Sequence, residues 1–193
     1  MTGADSRYHH GDLSMTLVES AVRMLATDGD ADLSIRAVAR AAGVSSAAPY
    51  RHFPDRSALL AAVAAAGFGE LMTVLRATCP EPSGRTDIGD LAVAYVRFAT
   101  ERPGLFRVMF AEGGQRGSAT RREATAVVHE YLDAGVRRWL GIEDPGTVTT
   151  GLWALVHGMA CLYTYENLEP ADAEDMAQRV RDTVDAVLTV DGR

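Results

Sequence analysis

The stretch Leu33–Ser57, LSIRAVARAAGVSSAAPYRHFPDRS, decides the fold. Ser34 stands where an N-cap belongs, directly ahead of an apolar-periodic run. Ile35, Val38, Ala39 and Ala42 recur at helical spacing and give that run one apolar face. Gly43 follows, the residue that takes the left-handed conformation of a helix terminus at least cost. Val44 plugs the turn, and Ser45 or Ser46 can cap a second helix, predicted from Ser46 to about His52. Pro54 limits it, because the residue before a proline is pushed out of the α region. Around this short helix crowd Ser45-Ser46, Tyr50-Arg51-His52 and Asp55-Arg56-Ser57. A small helical core motif explains the apolar spacing but not that crowding.

Two helices joined by a short Gly-containing turn make a helix-turn-helix pattern, whose second helix enters the DNA major groove. Ala39, Gly43-Val44-Ser45, Tyr50-Arg51-His52-Phe53, Arg56 and Leu59-Leu60 resemble the DNA-binding domain of the TetR family of transcriptional regulators. The resembling region runs from about Tyr8 to Val63. The resemblance implies an all-α chain. A three-helix helix-turn-helix domain would occupy residues 1–56, and a helical effector-binding and dimerisation domain residues 57–193. It also implies phosphate contacts from Ser34, with Arg36 beside it, and from the pair Tyr50 and His52. Arg56 stands where the family usually has Lys, with the same charge on a broader donor fork, and can hold a phosphate near the helix N-terminus. Ser45, Ser46, Ala47 and Tyr50 are expected to face outward. Ala47 could touch a thymine methyl and the hydroxyls could donate or accept. Phe53 is expected in the core. Pro49 departs from the commoner Leu or Ile of the family, which loosens the base-contact register.

A chain of 193 residues, 47% apolar, suits one compact unit or two small helical domains. No stretch holds the roughly 18 uninterrupted apolar residues of a membrane span, so no membrane partner is expected. The start, MTGADSRYHHGDL, lacks the pattern of a secretory signal. Cys79 and Cys161 fit no zinc or redox spacing, and a reducing cytoplasm is the simplest compartment. The net charge of −7 argues against a general nucleic-acid coat protein. Residues 1–56 carry six Arg against seven acids and are nearly neutral; the remainder carries thirteen Arg against nineteen acids. One such head should bind DNA weakly, so two on one duplex are expected to supply the affinity.

Upstream of the motif, Asp12 or Ser14 can cap a helix to about Thr27, with Leu13, Leu17, Val18, Ala21, Met24 and Leu25 on one face. The leader Arg7-Tyr8-His9-His10-Gly11-Asp12 resembles that of one TetR branch, and Asp28-Gly29-Asp30 ends the helix. Downstream, Asp55 caps a helix through Leu75, with a bend allowed at Gly67-Phe68-Gly69. A linker at 78–84 follows. Further helices are expected at 88–100, 119–140, 148–168 and 173–190; Leu105–Phe110, LFRVMF, reads as a short, very apolar segment. The GGQRG segment at 113–117 has no preceding strand and no following Lys-Ser/Thr, and reads as a loop.

Trp153-Ala-Leu-Val-His157-Gly158 resembles a Trp-x-x-x-His-Gly element in the C-terminal domain of the same branch. Four residues apart, Trp153 and His157 share a helix face. They line an effector pocket or simply pack in the core. The family's effector domain implies a pocket. Its candidate lining is Phe106, Met109, Phe110, Tyr131, Trp153, His157, Cys161 and Tyr165, suited to a small hydrophobic or aromatic molecule. Val148, Leu152, Leu155, Met159, Leu162, Met176, Val180, Val184 and Val187 are expected at a homodimer interface forming a four-helix bundle. No catalytic constellation, metal set or cofactor motif is found. Asp28, Asp30 and Asp32 lack the Gly and Glu spacing of a Ca²⁺ loop. The expected function is a ligand-responsive regulator, a repressor by preference, on a palindromic operator. The alternative is a helical carrier or interaction protein without DNA binding.

Overall fold

The computed structural model describes residues 10–27, 33–110 and 119–189. Outside them lie most of the leader, the 28–32 break with its three Asp, and the 113–117 loop. Among the described residues every regular element is helical: α1 His10–Thr27, α2 Ile35–Ala41, a short 3₁₀ segment Ala48–Arg51, α3 Arg56–Thr78, α4 Arg85–Glu101, α5 Pro103–Phe110, α6 Ala119–Leu140, α7 Gly146–Thr164 and α8 Ala173–Thr189.

The ends follow local chemistry. Ser34 Oγ accepts from Ala37 N at 3.1 Å and caps α2. At the other end Gly43 takes φ +70°, Val44 N reaches Ala39 O at 3.0 Å, and Gly43 N reaches Arg40 O at 3.1 Å. That pair of bonds is the Schellman arrangement. Asp55 Oδ1 accepts from Ala58 N at 2.8 Å and starts α3. Asp87 reaches back to the Ser83 and Gly84 amides at 2.8 and 3.1 Å and starts α4. Pro103 opens α5, where its missing N–H costs nothing. The expected 148–168 helix stops at Thr164. Tyr165 and Asn167 amides fold back onto Cys161 and Leu162 carbonyls, and Glu166 takes φ +58°.

The segment 46–52 departs from the α-helix expected there. Pro49 has no N–H to give to the Ser45 carbonyl, so the chain there closes with an i−3 bond, Ala48 N to Ser45 O at 3.1 Å. Four residues of 3₁₀ turn result, with Pro49 buried beneath them. One full-length turn survives, Phe53 N to Pro49 O at 2.8 Å, and Phe53 enters the core as expected.

α1 packs against α2, α3 and α5 through Leu17, Ala21 and Leu25. α3 is the shared spine, touching α1 at one end and α4, α5 and α6 along its length. Its mean hydropathy, 1.9 in its most apolar window, makes it long and apolar enough to cross a membrane by length and composition. Here that apolarity faces the core, with Leu59, Val63, Ala64, Phe68, Leu71, Met72 and Leu75 buried. The helix runs through Gly67 without a break. A Cβ there would lie 2.7 Å from Met109 Sδ, so Gly67 serves close approach of α5. α4 is covered by α7 and α8. Four residues expected between subunits, Met159, Met176, Val180 and Val184, are instead buried within the monomer. An acidic amphipathic helix needs only one stripe of cover, and α4 supplies it to α8.

Candidate nucleic-acid interface and effector cavity

The cap of α2, the 3₁₀ segment and the start of α3 converge. Ser34, Arg36, Tyr50 and Arg56 surround one concavity of about 390 Å³, with Ile35, Pro54 and Asp55 completing its wall. Tyr50 is 48% exposed although aromatic. Ser45, Ser46 and Ala47 lie exposed on the turn that leads into the 3₁₀ segment, and His52 is half-buried against Phe53. Arg56 is tied down: its Nε donates to the Leu33 carbonyl at 2.8 Å, which staples the start of α3 to the entry of α2. The remaining guanidinium nitrogens stay on the exposed side chain. This bond was not legible in the sequence, where Arg56 reads as a phosphate contact alone.

Of the expected pocket residues, five come together. Phe106 and Phe110 pack at 4.9 Å between ring centroids, and His157 lies 5.4 and 4.4 Å from them. Trp153 stands 6.3 Å from Phe110 and 6.1 Å from His157. Cys161 Sγ is 3.6 Å from His157 Nε2. The other three lie elsewhere. Met109 is fully buried under Gly67, and Tyr131 donates its hydroxyl to the Cys79 carbonyl at the end of α3. Tyr165 is 53% exposed beyond α7.

Tyr95 of α4 organises the group and was missed. Trp153 Nε1 donates to its oxygen at 3.3 Å, and the same oxygen lies 2.9 Å from His157 Nδ1. With the indole on one lone pair, the buried phenol proton has His157 Nδ1 as its acceptor. The imidazole is then neutral, with its proton on Nε2, towards Cys161. Burial holds the His157 pKa below its ordinary value and pushes the Tyr95 and Cys161 groups up. None of them is an activated nucleophile at neutral pH.

Beside this cluster is a small apolar cavity of about 50 Å³ where α3, α4, α6 and α7 meet. Tyr95 and Trp153 belong to both; Leu75, Leu91, Leu132 and Leu152 complete much of its wall. Only Trp153 of this lining was expected. Leu152 was expected at the subunit interface instead, and the rest carry no signal in the sequence to separate them from other helix residues. Among the described residues no group of His, Cys, Asp and Glu could hold a metal ion.

Residues 17–63 match the family model for bacterial regulatory proteins, tetR family, and residues 88–187 match the tetracyclin repressor-like C-terminal domain. An uncharacterised HTH-type transcriptional regulator of Haemophilus influenzae is 29% identical over 124 residues, 61% of this chain. That alignment spans only 58% of the regulator's own length. A protein of unknown function from Rhodococcus sp. RHA1 superposes with a TM-score of 0.74 at 33% identity, over 93% of this chain and 97% of that one. A TetR from Acinetobacter baumannii in complex with minocycline shares the fold, with a TM-score of 0.62 at 18% identity, over 97% and 96% of the two chains. With a helix-turn-helix at one end, an all-helical C-terminal domain at the other and the C-terminal match alone covering over half its length, the chain belongs to the TetR family of bacterial regulatory proteins.

Proposed function

We propose that this chain is a cytoplasmic repressor that grips a near-palindromic DNA operator as a homodimer and lets go when a small apolar or aromatic effector binds. The observation that carries the reading is the gathering of Ser34, Arg36, Tyr50 and Arg56 around one concavity beside the exposed Ser45-Ser46-Ala47 turn. Ser34 with Arg36, Tyr50 with His52, and Arg56 hold phosphates; Ser45, Ser46 and Ala47 approach base edges. Short side chains on a short segment require the turn itself to sit deep in the groove. The effector domain begins at about residue 57, and its aromatic cluster, Phe106, Phe110, Trp153, His157 and Cys161, backs the effector cavity and reaches it through Trp153. The leader and the Trp-x-x-x-His-Gly element fit one branch of the family.

The second subunit packs on α7. Gly151, Ala154, Gly158, Leu162 and Tyr165 are exposed at helical spacing, and a Cβ at Gly151 or Gly158 would meet nothing within 4 Å. Val187 of α8 is 51% exposed. Small residues flanked by exposed apolar ones suit close approach by a second copy of the same helix.

Effector binding acts through α3. Leu75 lines the cavity near one end of this unbroken helix, and Arg56 grips the reading head at the other. An effector that prefers the cavity of the wrongly spaced dimer must be weakened by operator DNA to the same extent. Moving from mostly bound to mostly free takes about 5 kcal/mol of differential affinity. The test is DNA binding to the region flanking the coding sequence. Tyr50→Ala is expected to weaken binding on all duplexes alike, by roughly 1 kcal/mol or more, with the salt dependence unchanged because the phenol carries no charge. Ser46→Ala is expected to change sequence preference instead. Unchanged affinity in the Tyr50 variant refutes the assignment.

A further inference from the structure

We propose that the cavity between α3, α4, α6 and α7 takes a small uncharged molecule, apolar over most of its surface, whose single hydrogen-bonding group partners the hydroxyl of Thr149. This rests on the reading of the C-terminal half as an effector domain and specifies the ligand class.

Thr149 lies in the first turn of α7, is 1% exposed and lines the cavity. Its Oγ1 has no hydrogen-bond partner. Threonines in helices commonly hide their hydroxyl by donating to the carbonyl four residues back. Thr73, Thr78, Thr100, Thr183 and Thr189 all do so here. Thr149 does not, although its own amide reaches Pro145 O at 2.9 Å. A buried hydroxyl without a partner is costly, and a ligand group that supplies one recovers that cost.

The other polar groups in the lining are already engaged. Tyr95 and Trp153 satisfy each other and His157. Thr149 is thus the one side-chain hydroxyl in the lining still open to a ligand. The lining contains no Asp, Glu, Arg, Lys or His. An ion placed there would lose its hydration without a counter-charge, so carboxylates and amines are excluded. At about 50 Å³ the cavity holds little more than a water or two. A ring-sized ligand needs the half-buried Leu132 and Leu152 to change rotamer. That displacement bears on Leu75 and so on α3.

The test uses the full chain and its Thr149→Val variant, which keeps the shape and removes the hydroxyl. Without ligand, the variant is expected to melt at the same temperature as the parent or higher. Calorimetry and thermal shift with p-cresol, toluene and benzoate then read the ligand class. The parent is expected to bind p-cresol about tenfold more tightly than toluene, and benzoate not detectably. Thr149→Val should lose the preference for p-cresol and keep its affinity for toluene. A lower melting temperature in the variant overturns the proposal. So does benzoate binding as tightly as p-cresol, p-cresol affinity indifferent to the substitution, or no p-cresol binding by the parent. Operator release by a metabolite library, measured separately by gel shift, reports on the effector reading itself, so the two can fail independently.

Discussion

His157 shows how a single side chain can carry a pH response. Its folded pKa is depressed by burial, below the ordinary 6.5 that it has when the chain unfolds. The unfolded state therefore binds more protons below pH 6.5, and stability falls as the pH drops from there towards the folded value. Above 6.5 both states are neutral and the contribution is flat. Protonation also forces a hydrogen onto Nδ1 and leaves the Tyr95 hydroxyl proton without an acceptor. Thermal melts between pH 7.5 and 5.5 are expected to show a decline that His157→Gln reduces. An identical decline in that variant sinks the assignment. Trp153 and His157 were legible as a pair because four residues make a helical turn. Tyr95, which orients both, is 58 and 62 residues away in sequence, and no local pattern links it to them.

Among the elements, two glycines on helices behave oppositely. Gly104, in α5, sits against the end of α1, where an added Cβ would meet the Leu25 carbonyl oxygen at 2.5 Å. Backbone cannot swing aside as a side chain does. Gly104→Ala is expected to destabilise by about 1–3 kcal/mol, as overpacking does. Gly69, exposed on α3 with nothing within 4 Å of such a Cβ, is expected to gain about 0.5–1 kcal/mol on substitution by Ala. Denaturant melts of both variants check the pair, and equal signs contradict the packing of α5 on α1. Helix positions were legible because apolar spacing, caps and Pro-Gly breaks are local. The 119–140 helix lies where the periodicity puts it. The 46–52 segment was less so: Pro49 stands in the sequence, but its effect on the Ser45 carbonyl decides between α and 3₁₀ only once Val44 and Phe53 anchor both ends.

For the whole molecule, assembly is the test. Gly158→Leu places a large side chain on an exposed helix face where the monomer has room, and Leu is a better helix former than Gly. With the proposed homodimer, the parent is expected to sediment as a dimer and the variant to fold, to sediment as a monomer and to lose most operator affinity. A dimeric Gly158→Leu protein moves the interface elsewhere. The expected interface list mixed Met176, Val180 and Val184 with Leu162 and Val187, since all are apolar at helical spacing. Only packing against α4 separates them. The sequence by itself determined the helical class and the capped and glycine-ended α2, because caps, turns and 3.6-residue periodicity act over a few neighbours. Tertiary structure alone decided that Arg56 staples the head, that Tyr95 orders the aromatic cluster, and that Thr149 is left without a partner. Each of these depends on which distant groups come within 3 Å, and that is a property of the packed bundle.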